Sequence, residues 1–242
     1  MLFKPLRETL NKLDTTDGLI YLLAKVLRRL SGGRARIVRY HFFAQPVPQE
    51  PKKYTRPSVK SRVRQITAAD PIMAAFPRSN AVIEQRFQSG ATCFVAENDG
   101  RFAGYLWLAK EKYEEDEVRC TYSFTPPERC AWDFDVYVEP EYRIGRTFAR
   151  LWDAANEHLA GEGVQWSLSR ITPLNLGSIA AHQRLGLIKL CSATFLCIGS
   201  KQISFIPSIR RIPFLRHPTI ALVAPEQDSA ARPSTNTPTA TQ

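Results

Sequence analysis

Between residues 132 and 190 the hydrophobic pattern changes period repeatedly, and each change marks an element. Apolar and polar residues alternate over 132–138 (WDFDVYV), as on a strand with two unlike faces. Phe148, Leu151, Trp152, Ala155 and Leu159 then recur three and four apart, which predicts a helix over 147–159 that buries one stripe. After the Gly161-Glu162-Gly163 break, 164–171 reads as a strand, and Asn175 can cap a further helix closed by Gly186. Strands follow at 188–198 and near 202–205. Trp132, Trp152 and Trp166 fall on core positions of this pattern.

Upstream, 17–31 has a helical stripe of Leu19, Leu22, Leu23, Val26 and Leu30 with Lys25, Arg28 and Arg29 on one face, and Gly32-Gly33 stops it. Two environments suit such a helix: a place against a protein core with the basic face in water, which the reading favours, or a membrane interface. Residues 36–45 are rich in β-formers and predict an added strand, and the Pro- and Lys-rich stretch 46–60 reads as a linker. A first core strand at 62–66 and short helices at 70–76 and 80–87 come next. Strands at 91–96 and 102–109 flank Asn98-Asp99-Gly100, a strong hairpin signal. The acidic run 114–117 suggests a solvated loop, and the polar, Pro-containing stretch after 225 should be disordered.

This organisation divides the chain into a basic helical extension (1–33), a strand plus linker (34–60), a globular domain (61–206) and a C-terminal extension (207–242). Charge sharpens the division. Residues 1–65 hold 15 basic against 4 acidic side chains, whereas the remainder is close to neutral although the whole chain carries +10. The excess implies an anionic partner for residues 1–65, a membrane surface ahead of nucleic acid, and not an acidic substrate. Five scattered cysteines without a CxxC or Cys/His cluster suggest neither a disulfide framework nor a zinc site, so no metal is expected and a reducing cytoplasm is the expected home, with the inner face of the membrane as the alternative. No secretory signal with a credible cleavage site is legible.

The chemistry concentrates where the strand at 132–138 turns into the helix at 147–159. Arg143, Ile144, Gly145, Arg146 and Thr147 form that corner, where backbone N–H groups and a helix N-terminus favour an anion such as a phosphorylated ligand.

Val138, Pro140, Tyr142, Arg143 and Leu151 fall, without a gap, at the spacings of the V-x-P-x-Y-R-G-x-G-x-G pattern and the leucine-rich helix after it. Asn175, Ser178, His182, Gly186 and Leu187 keep the spacing of a second pattern, N-x-x-A-x-x-x-Y-x-x-x-G-F. Together they resemble the GNAT (N-acetyltransferase) superfamily, in an acyl-CoA-binding core over roughly residues 61–200. Arg146 and Phe148 stand at two glycine positions of the phosphate turn, and the turn's single glycine, Gly145, lies one residue early.

The resemblance implies an α/β (α+β) fold with a mixed, mostly antiparallel central sheet flanked by helices, here with a basic N-terminal helical extension. It implies acetyl-CoA or another acyl-CoA as co-substrate and direct acyl transfer to an amine or hydroxyl of an unidentified small-molecule, sugar or peptide acceptor. Strands four and five of the family splay apart, and the pantetheine hydrogen-bonds strand four there; the backbone of Tyr137 and Val138 takes that role. The diphosphate falls to Arg143 through Thr147, with Asn175 at the start of the following helix. His182 stands at the position of the tyrosine that protonates the departing thiolate, and an ordinary histidine pKa near 6.5 suits that work. Asp133 and Asp135 are the candidate bases, placed on one face by alternation, with salt bridges to Arg119 or Arg170 as the plainer explanation. Two other readings are an enzyme like the acyl-homoserine-lactone synthases, taking its donor from acyl carrier protein, and a non-catalytic module of the same fold.

Overall fold

The computed structural model of the chain describes residue 10 and residues 13–50, 53–206, 209–212 and 217–226. Its strands are β1 (Ala35–Pro46), β2 (Ser61–Ile66), β3 (Thr92–Asn98), β4 (Arg101–Ala109), β5 (Lys112–Glu114), β6 (Thr121–Thr125), β7 (Cys130–Val138), β8 (Trp166–Ile171), β9 (Ile188–Ile198), β10 (Lys201–Ile206), β11 (Ile209–Ile212) and β12 (Thr219–Val223). The helices are α1 (Thr15–Leu30), α2 (Asn80–Gln88), α3 (Thr147–Gly161) and α4 (Leu176–Gln183).

Nine strands form one sheet in the order β11-β10-β9-β1-β8-β7-β4-β3-β2, and β12, β6 and β5 form a second. Among the described residues of the large sheet, the β7–β8 pair alone is parallel. The fold is therefore the mixed, mostly antiparallel sheet that was expected. One face packs under α3, with Leu106, Leu108, Ala131, Leu151, Trp152 and Leu159 buried between them. The opposite face is covered by the small sheet, through Phe42, Tyr122, Trp132 and Phe195, and by the segment 71–88, through Phe76, Ile83 and Trp107. The β3–β4 hairpin turns on Asp99 and Gly100, both at positive φ (49° and 75°), which explains the Asp-Gly step.

Two expectations need correction. The strand expected at 36–45 is not an addition outside a domain starting at 61. As β1 it lies in the middle of the sheet, antiparallel to β8 on one side and to β9 on the other. Its residues Tyr40 through Gln45 are all buried, as a strand covered on both faces must be. The polar stretch after it is tied down as well: the Asp153 carboxylate of α3 accepts from the amides of Tyr54 (2.6 Å) and Thr55 (3.0 Å). The sheet unit thus begins at residue 35, and α1 joins it through Asp17, which pairs with Arg39 and with His41 Nε2 (2.8 Å).

The acidic run 114–117 is also not a free loop. Glu115 is buried and accepts from Arg170 Nε (2.5 Å) and Nη2 (2.6 Å), a two-pronged pair across to β8. Burial pushes its pKa up and Arg170 pulls the other way. The C-terminal extension contributes β12, parallel to β6. The tail expected to be disordered lies, from residue 227 onward, outside the described residues.

Candidate active site

Strands β7 and β8 start side by side and then separate. They pair at Cys130–Trp166, Ala131–Ser167 and Trp132–Leu168 and no further. Beyond that point β7 continues along β4 while β8 continues along β1. A bulge drives the separation: Leu108 opposes Asp133 and Trp107 opposes Asp135, so Phe134 has no partner on β4 and β7 bends away. The result is a wedge between two parallel strands, open toward their C-terminal ends. Gly104 keeps β4 and β7 close along one wall, because a Cβ there would meet the Tyr137 carbonyl oxygen at 2.4 Å.

The bulge also decides what the two aspartates do. Strict alternation would put them on one face; the extra residue sends them to opposite faces. Asp133 sits just past the last ladder pair, at the apex of the wedge, almost wholly buried. Ser167 Oγ donates to its Oδ2 (2.9 Å), and no cation pairs with it among the described residues. Burial raises the carboxyl to about 7, and the hydrogen bond from the Ser167 hydroxyl offsets only part of the effect. The Ser169 hydroxyl on β8 and Gln45 Nε2 on β1 are buried without a hydrogen-bond partner among the described residues.

Asp135, by contrast, is ion-paired. Arg78 donates to it through Nε (3.0 Å) and Nη2 (3.1 Å), Arg86 through Nη1 (2.8 Å) and Tyr105 through its hydroxyl (3.0 Å). Four donors from three side chains thus engage the Asp135 carboxylate, on the face away from Asp133. Its partners are neither Arg119 nor Arg170, and they anchor segment 71–88 to β7.

His182, expected to protonate the departing thiolate, lies in an aromatic box. It is buried on α4, edge-on to Phe148 (5.2 Å) and Trp152 (5.4 Å) of α3. Its Nδ1 bonds to Gln45 Oε1 at 3.0 Å. Burial lowers its pKa to about 4, so at neutral pH the ring holds no proton that it readily gives up. The sequence supplied the position but not the aromatic box that desolvates it.

The turn from β7 to α3 is exposed, as a ligand-binding corner should be. Arg143, Ile144, Gly145 and Arg146 all face solvent. No side chain caps α3, whose first helical bond runs from Arg150 N–H to the Arg146 carbonyl (2.9 Å), leaving first-turn amides directed outward. Gly145 does not hold a left-handed conformation, and a Cβ there would lie 3.3 Å from the Tyr142 carbonyl oxygen, tight rather than impossible. Arg143 Nε donates to the Val138 carbonyl (2.9 Å), so one backbone acceptor at the wedge mouth is already engaged. Tyr137 stacks beside Phe102 with its hydroxyl donating to Glu139 (3.2 Å), and the Asn175 side chain caps α4 by accepting from Ser178 N–H (3.2 Å).

Sequence reasoning passed over Gln45, Ser167 and Ser169. The signal was there: Ser167 and Ser169 alternate within an apolar strand, which marks a polar inner edge. Asp14, Asp17 and His41 bring three candidate metal-ligand atoms within 4.8 Å of one another, but Asp17 is already paired with Arg39, and Lys189 Nζ lies 3.3 Å from His41 Nε2. Cations of the protein itself occupy that corner.

Residues 61–187 match the sequence profile of the acetyltransferase (GNAT) family. No curated protein matches the chain. Solved structures similar to it include a protein from the GNAT family of Novosphingobium aromaticivorans, 19% identical, with a TM-score of 0.47 over 66% of this chain and 63% of that one. The chain thus spans less than two thirds of that protein's length. Another is yncA of Salmonella typhimurium, solved with its cofactor acetyl-CoA, 18% identical, with a TM-score of 0.39 over 52% of this chain and 79% of that one. An aminoglycoside acetyltransferase from an uncultured soil metagenomic sample, solved with trehalose, is 13% identical, with a TM-score of 0.38 over 52% and 86% of the two chains.

Proposed function

The chain belongs to the GNAT acetyltransferase family, and on that footing we propose that it transfers an acyl group, acetyl in the first instance, from acyl-CoA to an amine or hydroxyl acceptor, with Asp133 as the general base. The observation that carries the reading is the buried Asp133 carboxyl at the apex of the β7–β8 wedge, raised to about 7 with no neutralising cation among the described residues. A base poised near the working pH is half ionised there and still basic enough to take a proton.

Acyl-CoA would lie with its diphosphate over the first-turn amides of α3 and its pantetheine along β7. Arg143 and Arg146 would add charge-assisted bonds that two missing glycines otherwise leave to the backbone. The thioester carbonyl then sits inside the wedge. The acceptor nucleophile attacks that carbon, Asp133 takes its proton directly or through the Ser169 hydroxyl, and the tetrahedral centre collapses with loss of the CoA thiolate. His182, neutral and boxed in, positions α4 against α3 and is outside the proton path. Arg78 and Arg86, fixed on Asp135, hold the segment 71–88 that walls the acceptor side.

Calorimetric titration with acetyl-CoA tests the reading. Saturable binding that weakens by about tenfold or more in an Arg143→Ala/Arg146→Ala variant is the expected result. No detectable binding by the wild type would overturn it.

A further inference from the structure

Helix α1 leaves an apolar stripe uncovered. Leu19 and Leu23 are each 58% exposed, Val26 54% and Leu30 81%. At about 100° per residue these four lie within an arc of about 60°, so they form one ridge along the helix. The opposite side of α1 is fixed to the sheet by Asp17, through Arg39 and His41, so the ridge points away from the protein body and cannot be turned inward by a simple rotation.

The charges on α1 follow the same logic. Its single acid, Asp17, is buried in that pairing, while Lys25 and Arg29 are exposed along one flank of the ridge and Arg34 is exposed just beyond it. Residues 1–65 carry 15 basic against 4 acidic side chains. The expected basic face in water is there, with Lys25, Arg28 and Arg29 all exposed; beside it α1 also shows solvent an aliphatic ridge.

We propose that α1 is a membrane-docking element, lying in the plane of an anionic lipid surface with Leu19, Leu23, Val26 and Leu30 between the headgroups and Lys25 and Arg29 on lipid phosphates. A convex row of aliphatic side chains with a cationic margin matches a fluid, anionic interface. A second copy of the chain fits less well, since pairing ridge to ridge brings like-charged flanks together. No helix of the described residues is long and apolar enough to cross a membrane, so the contact is peripheral in kind.

Sedimentation with vesicles tests this with the full-length protein. Vesicles of phosphatidylcholine with about a third phosphatidylglycerol should pull the protein down, and pure phosphatidylcholine vesicles should do so far less. Leu23→Glu/Leu30→Glu should weaken binding to the anionic vesicles by more than about tenfold. Lys25→Ser/Arg29→Ser should weaken it by about fivefold per charge, with less effect at high salt. Val59→Glu, at a fully exposed apolar position in another part of the chain, serves as the control and should bind as the wild type does. All substituted side chains are exposed, and an unchanged melting temperature checks the fold. Equal binding by the Leu23→Glu/Leu30→Glu variant, or no binding by the wild type, overturns the proposal. A wild-type dimer in light scattering that this variant dissociates overturns it in favour of a second copy. Binding to an acidic acyl carrier protein and not to vesicles overturns it in favour of that partner.

Discussion

Asp133 couples activity to stability through one proton. Its folded pKa, about 7, lies above the usual carboxylate value of 3.8, so the folded state holds the proton more tightly than the unfolded chain does. The stabilisation is therefore complete at low pH and is lost as pH rises from near 4 through about 7. Asp133→Asn removes the buried charge. The variant should be more stable than wild type at pH 8, by about 2–4 kcal/mol, with the gap closing toward pH 4; melting curves across that range check it. His182 acts in the opposite sense. Its folded pKa is lowered to about 4, so it costs stability progressively as pH falls from near 6.5 toward 4. His182→Ala should cost about 2–4 kcal/mol through the lost ring packing against Phe148 and Trp152, and should leave turnover within about threefold of wild type. A loss of a hundredfold or more with the fold intact would return His182 to the proton path.

Elements were legible where a local pattern decided them and obscure where long-range pairing did. The alternation of β7, the three-and-four spacing of α3 and the Asp-Gly hairpin all follow from neighbours within a turn or a strand. The place of β1 does not, because nothing in residues 35–46 says which strands, more than 100 positions later in the chain, will flank them. The bulge at Phe134 is equally silent in sequence, yet it decides which aspartate meets the wedge. Truncation tests β1 directly. Deleting residues 1–33 should leave a folded, less stable protein, whereas deleting 1–46 should abolish cooperative unfolding, since Tyr40 and Phe42 alone bury side chains worth about 1.5–3 kcal/mol each. Gly104→Ala should lower both the melting temperature and acetyl-CoA affinity, because the added Cβ presses on the Tyr137 carbonyl of the wedge wall. An unchanged affinity in that variant would separate the wall from the cofactor.

At the scale of the whole molecule, three regions meet around the wedge: an exposed cationic turn where β7 enters α3, a buried carboxyl at the apex, and a far wall held by Asp135 and its arginines. On the proposed function, donor and acceptor would meet there at one basic group. The central claim is that Asp133 is that group. Thiol release from acetyl-CoA, followed from pH 5.5 to 8.5 with a panel of amines and with water alone as acceptor, tests it for wild type and Asp133→Asn at saturating acetyl-CoA. The expected result is a wild-type rate that climbs with pH to a plateau, with its midpoint near 7, and a variant slower by about 10²- to 10⁴-fold without that midpoint although it binds acetyl-CoA as tightly. A variant that keeps the wild-type rate and pH profile would contradict it.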